Sequence, residues 1–106
     1  MKISEFETQN DFMSFLKDTT FSRDALWTIW YHCEFEEEDI EIEDLDTVWT
    51  EMTPGEVASV FNLRERLSFI ELNTNEIKNW LEDKTEVYSL SNGYLLFKVF
   101  DVKGGR

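Results

Sequence analysis

The sequence predicts a small α+β domain: an antiparallel sheet with about three helices and a C-terminal β-hairpin. Three observations lead there. Ser91-Asn92-Gly93 sits between two apolar runs, Glu86–Leu90 and Tyr94–Val102, and Asn-Gly is the strongest short hairpin signal. Thr53-Pro54-Gly55-Glu56 combines a Thr N-cap, a Pro at the first helical position and a Glu placed to close a capping box. Apolar residues recur at helical spacing after each of three sets of capping candidates, Thr8 or Asn10, Thr53, and Asn73 or Thr74.

In chain order, Met1–Phe6 reads as a short strand. Residues 9–18 read as a helix whose Phe12, Phe15 and Leu16 share a face, with Thr8 or Asn10 as cap. Residues 25–36 carry two patterns. Trp27, Ile29, Tyr31, Cys33 and Phe35 alternate with more polar neighbours, which favours a strand. Leu26, Ile29, Trp30 and Cys33 also fit a helical stripe capped by Ser22. With the strand preferred, the parity flip to Ile40 and Ile42 demands a turn or bulge near Glu36–Glu38. A hairpin follows, residues 27–36 out and 39–43 back.

Leu45, Val48, Trp49 and Met52 suggest a short helix. The helix opened by Thr53 has Val57, Val60 and Phe61 on its apolar face. Leu67–Leu72 reads as a strand. Asn73 or Thr74 caps a helix with Ile77, Trp80 and Leu81 inward, and Lys103–Arg106 reads as a frayed tail.

At 106 residues the chain is read as one domain, 1–106. No repeat or linker interrupts it. Its single cysteine forbids an intrachain disulfide and fits a reducing compartment. No secretory h-region or membrane-length apolar run is present, so the expected location is the cytoplasm.

The charge is unevenly placed. Of 23 acids, twelve lie between Asp24 and Leu63, where there is no lysine or arginine. Nine of them fall within thirteen residues: Glu34, Glu36, Glu37, Glu38, Asp39, Glu41, Glu43, Asp44 and Asp46. A net charge of −13 and a pI near 4.3 argue against nucleic acid or an anionic membrane as direct ligand. They favour a basic partner.

Catalytic and metal chemistry find little support. His32 and Cys33 are adjacent, so they diverge on a strand or a helix and do not form a nucleophile–base pair. They read as a packed Cys beside a rim His. No second His and no CxxC is available for zinc. Asp39, Glu41 and Glu43 alternate as calcium ligands do, but no Gly between Phe35 and Pro54 supplies the sharp turn. No catalytic residue, metal or cofactor is assigned, and the chain is not expected to be an enzyme.

Thr53-Pro54-Gly55-Glu56-Val57-Ala58-Ser59-Val60-Phe61-Asn62-Leu63 resembles the first helix and turn of small helix-turn-helix domains of the excisionase and MerR type. The likeness covers eleven of 106 residues. It implies a recognition helix opening at Arg64-Glu65-Arg66-Leu67 and a DNA-binding regulator. Ser68-Phe69-Ile70-Glu71-Leu72 departs from that pattern, reading as a strand with an acid.

The acidic segment supports the leading expectation. Duplex DNA carries one charge per about 1.7 Å of axis. Two strands about 4.8 Å apart, each with outward carboxylates about 6.6 Å apart, approach that density. Such a face suits the basic cleft of a nucleic-acid-binding protein, a nuclease or similar. Trp30 and Trp49 are candidate aromatic anchors among the acids. In size, charge and fold content the chain is similar to small acidic phage proteins that block restriction or CRISPR nucleases, and to immunity proteins that neutralise toxic nucleases. The alternative expectation is an accessory interaction module or homodimer with an aromatic working surface, the acids serving only solubility.

Overall fold

A computed structural model describes residues 1–66 and 73–100. The expected Leu67–Leu72 strand and the Lys103–Arg106 tail lie outside the described residues. The fold is α+β, with six α-helices and a three-stranded sheet among the described residues. The chain divides into two compact units, Met1–Trp49 and Thr50–Arg106.

The first unit is helical. Ile3–Glu5 is a 3₁₀ turn, not the expected strand. What remains of extended pairing is one antiparallel bridge, Lys2 with Glu41. Helix α1, Gln9–Phe15, begins where the Thr8 hydroxyl accepts the Asp11 N–H at 3.1 Å. Helix α2, Arg23–Glu36, begins at Ser22, whose Oγ accepts the Ala25 N–H at 3.1 Å.

Helix α2 replaces the preferred strand over residues 25–36, and the hairpin built on that strand is absent. The alternation that suggested a strand is a superposition of two helical rows. Ile29 and Cys33, one turn apart, are buried with Ala25 and Leu26. Trp27, Tyr31 and Phe35, also one turn apart, are exposed, although the strand reading turned them inward. Both rows fall on odd numbers, so their sum has an apparent period of two. The Ser22 cap and burial of the Leu26–Cys33 stripe decide for the helix, because they satisfy its first donors and cover its apolar face.

The break expected at Glu36–Glu38 is the helix end. Glu37 takes the left-handed conformation (φ 56°, ψ 37°), and the Glu38 N–H returns to the Cys33 carbonyl at 2.9 Å. Residues 39–43 make no return strand; Ile42–Asp44 is a second 3₁₀ turn. Helix α3, Leu45–Val48, stops before the expected end, and Trp49–Met52 is strand β1. The core of this unit is built from Ile3, Phe12, Met13, Leu16, Leu26, Ile29, Leu45 and Trp49.

The second unit follows the sequence more closely. Helix α4, Pro54–Val60, has the capping box: the Thr53 Oγ1 accepts the Glu56 N–H (3.1 Å) and the Glu56 carboxylate accepts the Thr53 N–H (2.8 Å). Asn62 is left-handed (φ 56°) and leads into the single turn α5, Leu63–Arg66. The segment resembling a helix-turn-helix therefore forms α4 and the start of α5; Arg64–Arg66, where the recognition helix was expected to open, lie in α5, and its continuation from Leu67 lies outside the described residues. Helix α6, Thr74–Glu82, is capped by Asn73, and its Ile77 and Leu81 are buried.

The expected C-terminal hairpin is present. Strands β2, Val87–Ser89, and β3, Leu95–Lys98, pair antiparallel, with Tyr88 opposite Leu96. Gly93 supplies the positive φ (89°) that the turn requires. The sheet order is β1-β3-β2. Val57, Leu63, Ile77, Leu81, Leu95 and Phe97 form the core of this unit.

Candidate functional site

The charge segregates with the fold. Met1–Trp49 holds fourteen acids against three lysines and arginines, while the remaining 57 residues hold nine against seven. Eleven of the thirteen net negative charges therefore belong to the first unit.

Its carboxylates divide into three groups by what they touch. Glu34, Glu36 and Glu37 crowd the last turn of α2 and are exposed, and that turn holds no basic residue. They stand against the negative end of the helix dipole, where a carboxylate is unfavourable. Asp44 and Asp46 are exposed near the start of α3. None of these five side chains forms an ion pair or hydrogen bond among the described residues.

The other four have partners. Asp39 accepts the Ser4 hydroxyl at 2.7 Å and the Ser4 N–H at 3.0 Å. The hydroxyl first, then the N–H, holds its carboxyl below the ordinary range. Glu41 and Glu43 accept from the Met1 ammonium at 3.2 and 3.4 Å. The Glu41 hydrogen bond holds that ammonium above its ordinary range. Glu43 is lowered chiefly by its own backbone N–H, then by Met1. Glu38 is half-buried, its Oε1 3.5 Å from the Nε2 of His32. His32 is buried and not at the rim; its ring meets Trp49 edge-on at 4.9 Å. His32 and Cys33 are both buried on α2.

The segment thus presents its charge from a helix end, a turn and a 3₁₀ turn. It does not space carboxylates at every second residue of two strands, so the distance match to DNA phosphates made from the hairpin does not hold. Among the described residues no group of three or more His, Cys, Asp or Glu is arranged to hold a metal ion. No described helix is long and apolar enough to cross a membrane.

The two expected aromatic anchors fare differently. Trp49 is 1 % exposed and is a core residue, because β1 turns it inward. Trp30 is half-buried and stacks at a tilt on Phe12, ring centroids 5.3 Å apart. The exposed aromatics are Trp27 at 51 %, Tyr31 at 48 % and Phe35 at 86 %. They form a ridge along α2, with Trp27 and Tyr31 in edge contact at 4.5 Å. The ridge runs about 12 Å, at about 1.5 Å per residue. It was legible as i, i+4, i+8 spacing, once the helix was preferred over the strand. Phe35 lies between Glu34 and Glu36, so the ridge ends among the unpartnered carboxylates.

Comparison with known protein families, with curated proteins and with solved structures finds no match.

Proposed function

We propose that this chain is a small acidic binding protein of the cytoplasm that inhibits a basic nucleic-acid-binding protein by occupying its nucleic-acid cleft. The observation that carries the reading is the segregation of eleven net negative charges onto Met1–Trp49, several of them carboxylates without a partner. Self-repulsion of that size weakens the fold, and a basic cleft relieves it. Complementary charge steers association and raises on-rates by about 10- to 1,000-fold at low salt. Phe35, flanked by Glu34 and Glu36, takes the anchoring role first expected of Trp49. A nuclease of the restriction, CRISPR or toxin kind is the partner class this chemistry fits.

The test is capture of partners from a bacterial lysate by the tagged chain at low and high salt, with identification by mass spectrometry. The reading expects a basic nucleic-acid-binding protein at low salt, displaced by added DNA. The decisive variant is Glu34→Lys/Glu36→Lys/Glu37→Lys, because these side chains make no hydrogen bond or ion pair among the described residues. Capture unchanged by it refutes the reading.

The exposed ridge of Trp27, Tyr31 and Phe35 favours a second reading, an aromatic interface with a protein partner or a second copy. With a different protein as partner, such an interface is nearly indifferent to salt and to DNA. A homodimer through this face brings two strongly negative units together, so its dissociation constant falls as salt rises.

A further inference from the structure

The Ile3–Glu7 segment, the last turns of α2 and Glu37–Asp39 bound an open groove of about 390 Å³. Its volume lies at the small end of ligand-sized pockets, about 300–1,000 Å³. The groove has two chemistries. Ile3, Phe6, Trp30 and Cys33 supply apolar and aromatic lining, and five carboxylates complete it with no lysine or arginine. Two of the five are occupied, Glu38 beside His32 and Asp39 on Ser4. Glu7, Glu34 and Glu37 have no hydrogen-bonding or ionic partner among the described residues.

We infer that this groove receives an arginine side chain of a basic partner protein. The occupant follows from charge complementarity joined to shape. A guanidinium is planar, stacks on aromatic faces and offers five donors in a fixed fork that matches carboxylates. Its methylene stem suits the apolar lining, as long cationic side chains bury their stems and keep their heads at a polar rim. A phosphate or an acidic peptide meets five like charges here, and a purely apolar ligand leaves them desolvated without a partner. The inference deepens the proposed function, resting on it for the partner being a basic protein.

The experiment is an NMR titration of the full chain, ¹⁵N-labelled, with N-acetyl-argininamide, and with N-acetyl-citrullinamide as the neutral isostere. The expected result is a saturable shift of the Trp30 indole N–H and the Cys33 amide at concentrations of about 1 mM, a weak single-residue affinity. The citrulline compound leaves both unmoved. Glu34→Gln/Glu37→Gln weakens arginine binding by about 2- to 30-fold, since each exposed ion pair contributes roughly 1.5- to 5-fold. Trp30→Leu removes the stacking face, and the double glutamine variant keeps the test valid if that substitution disturbs packing on Phe12. Equal response to the citrulline compound, or shifts that never saturate and spread over all the acids, overturns the inference. Saturable arginine binding with no basic protein captured from lysate upholds the groove and removes the inhibitor reading. Capture lost in the lysine triple variant but unaffected by Trp30→Leu and Glu34→Gln/Glu37→Gln does the reverse.

Discussion

Replacing Glu37 with glycine should stabilise this protein while weakening its binding. Glu37 ends α2 at φ 56°, a conformation that crowds the Cβ of any L-residue and costs about 1–2 kcal/mol. Glycine removes that cost but loses more chain entropy on folding, about 0.5–1 kcal/mol. The backbone gain is therefore roughly 0.5–1 kcal/mol. A second gain comes from deleting a carboxylate beside the negative end of the helix dipole, worth about 0.3–1 kcal/mol at low salt. Together they reach about 1–2 kcal/mol, a rise in Tm of roughly 5–10 °C for a chain of this size. Glu37→Gln separates the two parts, because it removes the charge and keeps the Cβ. Thermal melts at low salt and in 1 M NaCl, followed by circular dichroism, make the comparison. At 1 M the Debye length is about 3 Å, so the glutamine gain should collapse while the glycine gain persists. Hydrogen exchange at the Glu38 amide, which bonds to the Cys33 carbonyl, reads the same gain locally. A neutral or destabilising Glu37→Gly at both salts refutes the reasoning. The prediction bears on the proposed function: Glu37 costs stability twice, through backbone and charge, and that proposal expects its loss to raise stability and lower binding together.

Three further predictions follow from particular contacts. Ser4→Ala should raise the Asp39 carboxyl part of the way toward its ordinary value, because the hydroxyl bond is lost and the Ser4 N–H bond is kept, read by carboxyl ¹³C titration. Because the folded value is depressed, wild type holds its stability advantage over Ser4→Ala above the unfolded value, and the two melting curves converge as pH falls through the folded one. Thr53→Ala should cost about 1 kcal/mol in urea unfolding by opening the α4 capping box, and Thr53→Ser should restore most of it. Phe35→Ser, at a side chain 86 % exposed, should change stability by less than about 0.5 kcal/mol yet lower partner capture several-fold. Unchanged capture argues against the ridge as a contact surface.

Legibility in the sequence tracked how local the deciding interactions are. The turn at Ser91–Gly93, the Thr53–Glu56 capping box and the caps at Thr8 and Asn73 depend on hydrogen bonds within a few residues of the chain; the first two were readable outright, and each of the two caps was narrowed to a pair, Thr8 or Asn10 and Asn73 or Thr74. The helix end at Glu37 was readable as a break, though not as what kind. Residues 25–36 were not readable in the same way, since Trp27, Tyr31 and Phe35 add a second apolar row to the buried one and mimic strand alternation. A row of exposed aromatics is invisible to any rule that sends apolar residues inward.

By itself the sequence determined that the charge is concentrated near the middle of the chain, that an Asn-Gly hairpin lies near its C-terminal end, and that no intrachain disulfide can form. Composition and short-range hydrogen bonding suffice for these. Only the tertiary structure decided that the acidic run leaves a helix end instead of lining a hairpin, and that Trp49 belongs to the core while Phe35 faces outward. Only it decided that Asp39 and Glu38 are committed to Ser4 and His32 while Glu34 and Glu37 are not. Those outcomes depend on which faces find cover, and cover is supplied by residues distant in the chain.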